Sequence, residues 1–421
     1  MKNKILLTLL LLANIISAQD LRRILVLNEG RFDFNTNQIA VPVSVGAFDI
    51  NTKQYSKLLE IDGARFATDI KIDGNSYWVA ADQELLQYDL TTNQKIKSTT
   101  IKGIRRFAFY KDLIVVSLGE YLTKLNSNIL VLDKNTLAIK HEVPFNSMPF
   151  TTESIIIKDD KAFIAANNGF EWGKEVGKIL ELDLINYNIN QVIDLGANAK
   201  NPENLVIYND KLYTVNNKDY TGSSITAVDL TANTVSTVDL PSITSLCGTS
   251  ALVEDAIYYQ ESGKSVIGKY SISSQSAAVY KDVAVTYYGM TYDPKSKLLV
   301  ASETDFVSKG IVYVIDQSEN IQHKFTASVS PGNFAFDYTT VIATKDIKTI
   351  DVKLAPNPAT HSITIQSDKI WTSLELINAI GQKIKLNLNQ NQIDISTLSN
   401  GFYTLKGKNN SEIFQTNFVK Q

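Results

Sequence analysis

The chain has 421 residues, 44% of them apolar, with 41 basic against 44 acidic side chains and a single cysteine, Cys247. That length exceeds one ordinary domain, and the apolar share excludes a largely disordered protein. A net charge of -3 with no basic tract argues against nucleic-acid binding, and one cysteine excludes a disulfide framework or a cysteine-based metal cluster.

Residues 1–18 read as a secretory signal peptide. Lys2 and Lys4 precede the apolar run Ile5 to Ile16, and Ser17-Ala18 offers the small residues of a cleavage site. The run is shorter than the ~20 residues a spanning helix needs, so the chain is not expected to span a membrane. No cysteine follows it, which excludes lipidation there.

Residues 19–340 are expected to form an all-β, seven-bladed propeller. A short strand closing on aspartate recurs at Asp49, Asp89, Asp133, Asp183, Asp229 and Asp316, with Ser271 in the sixth place, at steps of 40 to 50 residues. Polar tight turns such as Asp73-Gly74, Asp159-Asp160 and Asn209-Asp210 lie between β-branched and aromatic runs and mark hairpins. Four short strands in about 45 residues is the length of a propeller blade. The first copy lacks an inner strand, while the last is followed by an orphan strand, Asn333 to Tyr338. Joining the two closes the ring and removes two open sheet edges. The repeated aspartate is read as a turn cap, because a catalytic group recurring along all the blades but one makes no chemical sense.

One face of the ring collects the long loops, where function usually sits. The expected ligand-binding rim comprises Asn28, Glu29, Arg31, Phe32, Arg65, Arg105, Arg106, Tyr121, Glu153, Asn168, Phe170, Trp172, Asn204, Asn217, Tyr220, Tyr288 and Phe306. Aromatic faces interleaved with Asn, Arg and Glu suit a planar or polyhydroxylated small molecule, and also a protein partner. His141 and His323 fall in outer strands, far from this rim, and no nucleophile elbow, phosphate loop or dinucleotide fingerprint occurs. No enzyme activity, cofactor or metal is therefore expected. Asp69, Glu153 and Glu203 approach the channel and keep open the alternative of a hydrolase or lyase using a channel-mouth cation. A protein-interaction platform at the cell surface is a second alternative.

After a linker over 341–353, the alternating strands of residues 354–421 predict a small β-sandwich. Pro356-Asn357-Pro358-Ala359, Asn378-x-x-Gly381-Gln382, Ile393-Asp394-Ile395-Ser396-x-Leu398-x-x-Gly401-x-Tyr403 and the closing Phe418-Val419-Lys420-Gln421 carry a resemblance. They resemble the type A C-terminal sorting domain of the Bacteroidetes type IX secretion system, with Phe402 where valine or isoleucine is usual. The resemblance implies export by the type IX machinery, a secreted protein, and release or attachment at the outer-membrane surface. The propeller, through Val26-Leu27-Asn28-Glu29-Gly30 and its echoing blades, is similar to the YncE-like, DUF5074 group of seven-bladed surface proteins. That resemblance implies capture of a small molecule, a corrinoid in some members, for an outer-membrane TonB-dependent transporter. The protein is expected to be a monomer.

Overall fold

A computed structural model describes residues 19–120, 124–244, 248–340, 348–369, 371, 373–384, 388–389, 391–409 and 412–421. The expected leader, Cys247 and the rim residue Tyr121 lie outside the described residues.

Seven four-stranded antiparallel sheets follow one another along residues 20–339. Blades 2 to 7 take their strands in chain order, whereas blade 1 reads Pro331–Thr340, Gln19–Asn28, Val43–Asp49 and Gln54–Ile61 from inside outward. The C-terminal strand thus supplies the missing inner strand of the first blade and closes the ring. Burial follows position within a blade. The second strand of blade 2, Ser76–Ala81, is buried throughout because both of its faces meet neighbouring blades. The outermost strand of blade 4, Ile189–Asp194, alternates half-buried and exposed residues, since one of its faces meets water.

Between successive blades lie seven separate apolar cores. Leu25, Val45, Ile70 and Tyr77 join blades 1 and 2. Ile24 and Val26 meet Val300, Val312 and Val314 across the seam between blades 1 and 7. The closing strand contributes to both, through Ala335 on one face and Phe334 on the other. Closure is therefore a packing event as well as a strand pairing.

The recurrent aspartate caps the turn after the third strand in blades 1 to 5, while Asp316 of blade 7 accepts the Asn320 N–H instead. Asp89 Oδ1 accepts the Thr91 and Thr92 N–H groups at 2.9 and 2.7 Å, and Asp49, Asp133, Asp183 and Asp229 repeat the arrangement. The turn then needs a left-handed residue, supplied by Lys53 (φ 57°), Asn93 (φ 60°) and Leu137 (φ 62°). Asp89→Ala leaves two turn N–H groups without their acceptor, so it lowers the urea midpoint slightly, while Ser271→Ala, where no carboxylate exists, leaves it unchanged; parallel urea titrations check both.

Residues 340–421 form the second unit. Its five-stranded and four-stranded sheets enclose Leu354, Ile363, Ile365, Leu376, Ile393, Leu405, Phe414 and Phe418. Gly401–Lys408 alternates buried and exposed positions, as a strand covering one side of a sandwich should.

Candidate functional site at the mouth of the axial channel

Four successive inner strands carry a β-bulge at their leading end. Register slips between Ala67 and Asp69 in blade 2, Ile104 and Phe107 in blade 3, Thr152 and Ile155 in blade 4, and Pro202 and Asn204 in blade 5. A bulge sets two residues against one and re-aims their side chains. The displaced residues are Thr68, Arg105 and Arg106, Glu153 and Ser154, and Glu203. At the same level the other blades offer Gly332-Asn333, Gly248-Thr249 and Tyr288-Gly289. An axial cavity of about 760 Å³ runs from Glu29, Arg106, Glu203, Tyr288 and Asn333 at this end to Lys71, Tyr292 and Lys297 at the other.

Charged groups from several blades meet at this mouth. Glu153, 4% exposed, accepts Arg105 Nε at 2.8 Å and Arg106 Nε at 3.2 Å on its two oxygens. Arg106 Nη1 donates to Asn333 Oδ1 of blade 1 at 2.9 Å and also to the Thr68 carbonyl of blade 2. One arginine of blade 3 thereby ties together blades 1, 2 and 4. Across the mouth, the Tyr288 hydroxyl donates to the Glu29 carboxylate, lying 2.9 Å from each oxygen. Gly332 and Gly248 leave the room these carboxylates need, because a Cβ at either position would collide with Glu29 or Glu203.

Burial sets the proton affinities. It raises Glu29 to about 7, although the Tyr288 hydrogen bond and the charges of Arg106 and Arg105 pull the other way. Glu203 rises to about 8 through burial and the like charge of Glu153. Burial also opposes ionisation of Glu153, but the two guanidinium groups override it and hold this carboxyl below the usual range.

Of the expected rim, Glu29, Arg106, Asn204 and Tyr288 line the cavity, Arg105 and Glu153 are joined to Arg106 beside it, and Phe170 and Phe306 pack on Arg105 and Tyr288, while Asn28, Arg65, Asn168 and Asn217 are engaged elsewhere. Asn28 is fully buried; its amide donates to Val26 O, Ser44 O and Tyr55 Oη, and its oxygen accepts the Ser328 N–H, so it fastens the closing seam instead of facing a ligand. Asn168 and Asn217 are likewise buried, binding Lys174 O and the hydroxyls of Thr244 and Ser223, because loop turns need buried acceptors and donors of their own. Arg65 grips Asp82 with Nε at 2.9 Å and Nη2 at 2.5 Å and so pins its own loop. Asn204 donates to Ser250 O at 3.1 Å, linking blades 5 and 6.

Phe170 lies beneath Arg105, whose guanidinium carbon is 5.2 Å from the ring centre. Trp172, 73% exposed, meets Tyr220 at 4.8 Å, and Phe306 packs edge-on to Tyr288 at 4.9 Å. Phe32 packs against Phe34 on the hairpin Arg31–Asp33 and Gln38–Val41, where Arg31 is half-buried.

The carboxylates considered for a channel cation are differently engaged. Glu153 lies between two arginines, and Asp69 pairs with Lys71 Nζ at 3.2 Å and accepts the Phe107 N–H at 3.1 Å. Among the described residues no group of three or more His, Cys, Asp or Glu side chains is arranged to hold a metal ion. Thr68, Asn333 and the two glycines were not foreseen as part of the mouth; the sequence carries no signal for a bulge.

Residues 353–421 match the family of secretion system C-terminal sorting domains. The sorting domain marks a secreted, cell-surface-associated protein and fits export by the type IX machinery. No curated protein matches the chain. The extracellular domain of the one component system BT4673 from B. thetaiotaomicron is similar in structure, with a TM-score of 0.51 at 13% identity over 95% of this chain, which spans 59% of that one. BamB from Moraxella catarrhalis aligns with a TM-score of 0.47 at 13% identity, over 81% of this chain and 95% of its own. The architecture is the β-propeller. Among the described residues no helix is long and apolar enough to cross a membrane.

Proposed function

We propose that the propeller is a non-enzymatic binding module of the cell surface that takes a polar small molecule into the mouth of its axial channel. The observation carrying this reading is the convergence of bulged residues from four successive blades on one open cavity, with Arg106 braced on three other blades. A rigid concave site with a few fixed polar groups is the usual form of a small-molecule receptor. Corrinoid capture for an outer-membrane TonB-dependent transporter is the particular form implied by the likeness to the DUF5074 group. One observation favours the enzymatic alternative: Glu29 and Glu203, near 7 and 8, fall where general acid–base groups operate.

Calorimetry of the full chain against cobalamin, haem, oligosaccharides and small organic acids tests the reading. One ligand class is expected to bind, and Arg106→Ala to weaken it by about tenfold or more, since a hydrogen bond from a charged donor is lost. Silence across the panel, or affinity untouched by Arg106→Ala, overturns it. Turnover of a bound compound that Glu203→Gln abolishes establishes the enzyme instead. Retention of a transporter from solubilised outer membranes, lost when the Phe170 loop is trimmed, identifies the partner.

A further inference from the structure

At the channel mouth two guanidinium groups share one carboxylate. Arg105 and Arg106 each direct Nε to Glu153, and Arg106 uses Nη1 for Asn333 and Thr68. Nη2 of Arg106 and both Nη groups of Arg105 make no hydrogen bond among the described residues. Arg105 is nevertheless held in place, tied at Nε and laid against Phe170, with its side chain 24% exposed. A guanidinium fixed this way presents its fork with little further loss of side-chain freedom.

The other charged groups facing this pair do not supply the missing anion. Asp69 is occupied by Lys71 and the Phe107 N–H. Glu29 accepts the Tyr288 hydroxyl, and burial keeps it and Glu203 protonated well above the ordinary carboxylate range. Below about pH 7 the two arginines therefore share the single ionised carboxylate of Glu153, and a buried charge that is only partly compensated is costly.

We propose that the mouth is a receptor for the carboxylate group of a small organic ligand, held by the Nη fork of Arg105 together with Nη2 of Arg106. The proposal rests on the mouth being a ligand site and names the chemistry of what enters it. A planar, two-oxygen anion matches a guanidinium fork better than a hydroxyl or an amide does. Binding is also linked to protons. As pH rises through about 7 and then about 8, Glu29 and Glu203 each gain a negative charge beside the bound anion. Affinity for a carboxylate consequently falls with rising pH, and binding below that range retains protons.

Benzoate and its uncharged isostere benzamide form the test pair, titrated calorimetrically into the full chain. Benzoate stays ionised throughout, so any pH dependence belongs to the protein. It is expected to bind at about pH 6, to bind about tenfold more weakly at about pH 9, and to exceed benzamide by about tenfold at the lower pH. Arg105→Gln should erase the preference for benzoate, and Glu203→Gln should flatten the upper part of the pH profile. Equal affinity for benzoate and benzamide, no binding of benzoate, or a preference that ignores pH overturns the proposal. A neutral compound that binds and still requires Arg106 would remove the carboxylate assignment while leaving the mouth as the binding site. Loss of binding by every class tested removes both.

Discussion

Asp337→Ala is expected to destabilise the propeller by about 3–5 kcal/mol, the range measured when one member of a buried ion-pair network is removed. Asp337 lies on the closing strand and is 2% exposed. It accepts Arg22 Nε at 3.1 Å and Arg23 Nε at 2.7 Å from the neighbouring strand, and Arg22 Nη2 as well. More than three hundred residues separate the partners in sequence, so the contact exists only when the ring is shut. Without the carboxylate, two adjacent guanidinium groups face each other at the seam. Arg23, 13% exposed, suffers more than Arg22, which at 34% remains accessible to water and screening. Guanidinium chloride unfolding should show a lower midpoint at unchanged slope. Lys57→Ala, at a pair whose members are 52% and 41% exposed, serves as the control and should fall within about 0.5 kcal/mol of the parent. A deficit for Asp337→Ala no larger than that control would mean that strand pairing and the Phe334 and Ala335 contacts close the ring unaided.

The closing strand was legible in the sequence because closure follows from counting. A repeat of fixed length with one inner strand too few at the start and one strand too many at the end has one economical solution. The capping aspartates were legible for a related reason: a local side-chain bond to the next turn depends on neighbours in sequence alone. The mouth was legible only as a list of residue types. Arg105, Arg106 and Glu153 were expected on the ring's rim and Glu203 near its channel, but their convergence depends on bulges, which arise from the pairing of two strands and leave no mark in either one. The asparagines are ambiguous in sequence for a physical reason. An amide that reads as a ligand contact is equally suited to satisfying other buried polar groups: Asn28 and Asn168 donate to backbone carbonyls, and Asn217 accepts the Ser223 and Thr244 hydroxyls. Phe170 illustrates the opposite case: expected as a ligand face, it supports Arg105 and so acts on the mouth through another side chain.

Glu153→Ala is expected to cost a similar 3–5 kcal/mol, about as much as the seam variant, and to disorganise the mouth as well. Its carboxylate is buried and is the shared acceptor of Arg105 and Arg106. Truncation leaves two neighbouring positive charges in a half-buried pocket with nothing between them. Glu153→Gln keeps the shape and one acceptor oxygen but loses the charge, so its deficit should be smaller. The pH dependence separates this account from a simple loss of packing. Since the folded protein holds the Glu153 carboxyl below its ordinary 4.5, its stabilisation is fully present above that value and disappears as pH falls towards the folded-state value. The gap between parent and Glu153→Gln should accordingly be widest at neutral pH and narrow under acid conditions, whereas a packing defect would persist in both. Removing all three charges at once provides the decisive comparison. Replacing Arg105, Arg106 and Glu153 together by apolar residues of similar volume should restore most of the stability lost by Glu153→Ala, because the buried charges vanish with their partner. It should not restore any binding that depends on the guanidinium fork. If stability and binding instead return together, the cluster braces the blades and contributes nothing to recognition.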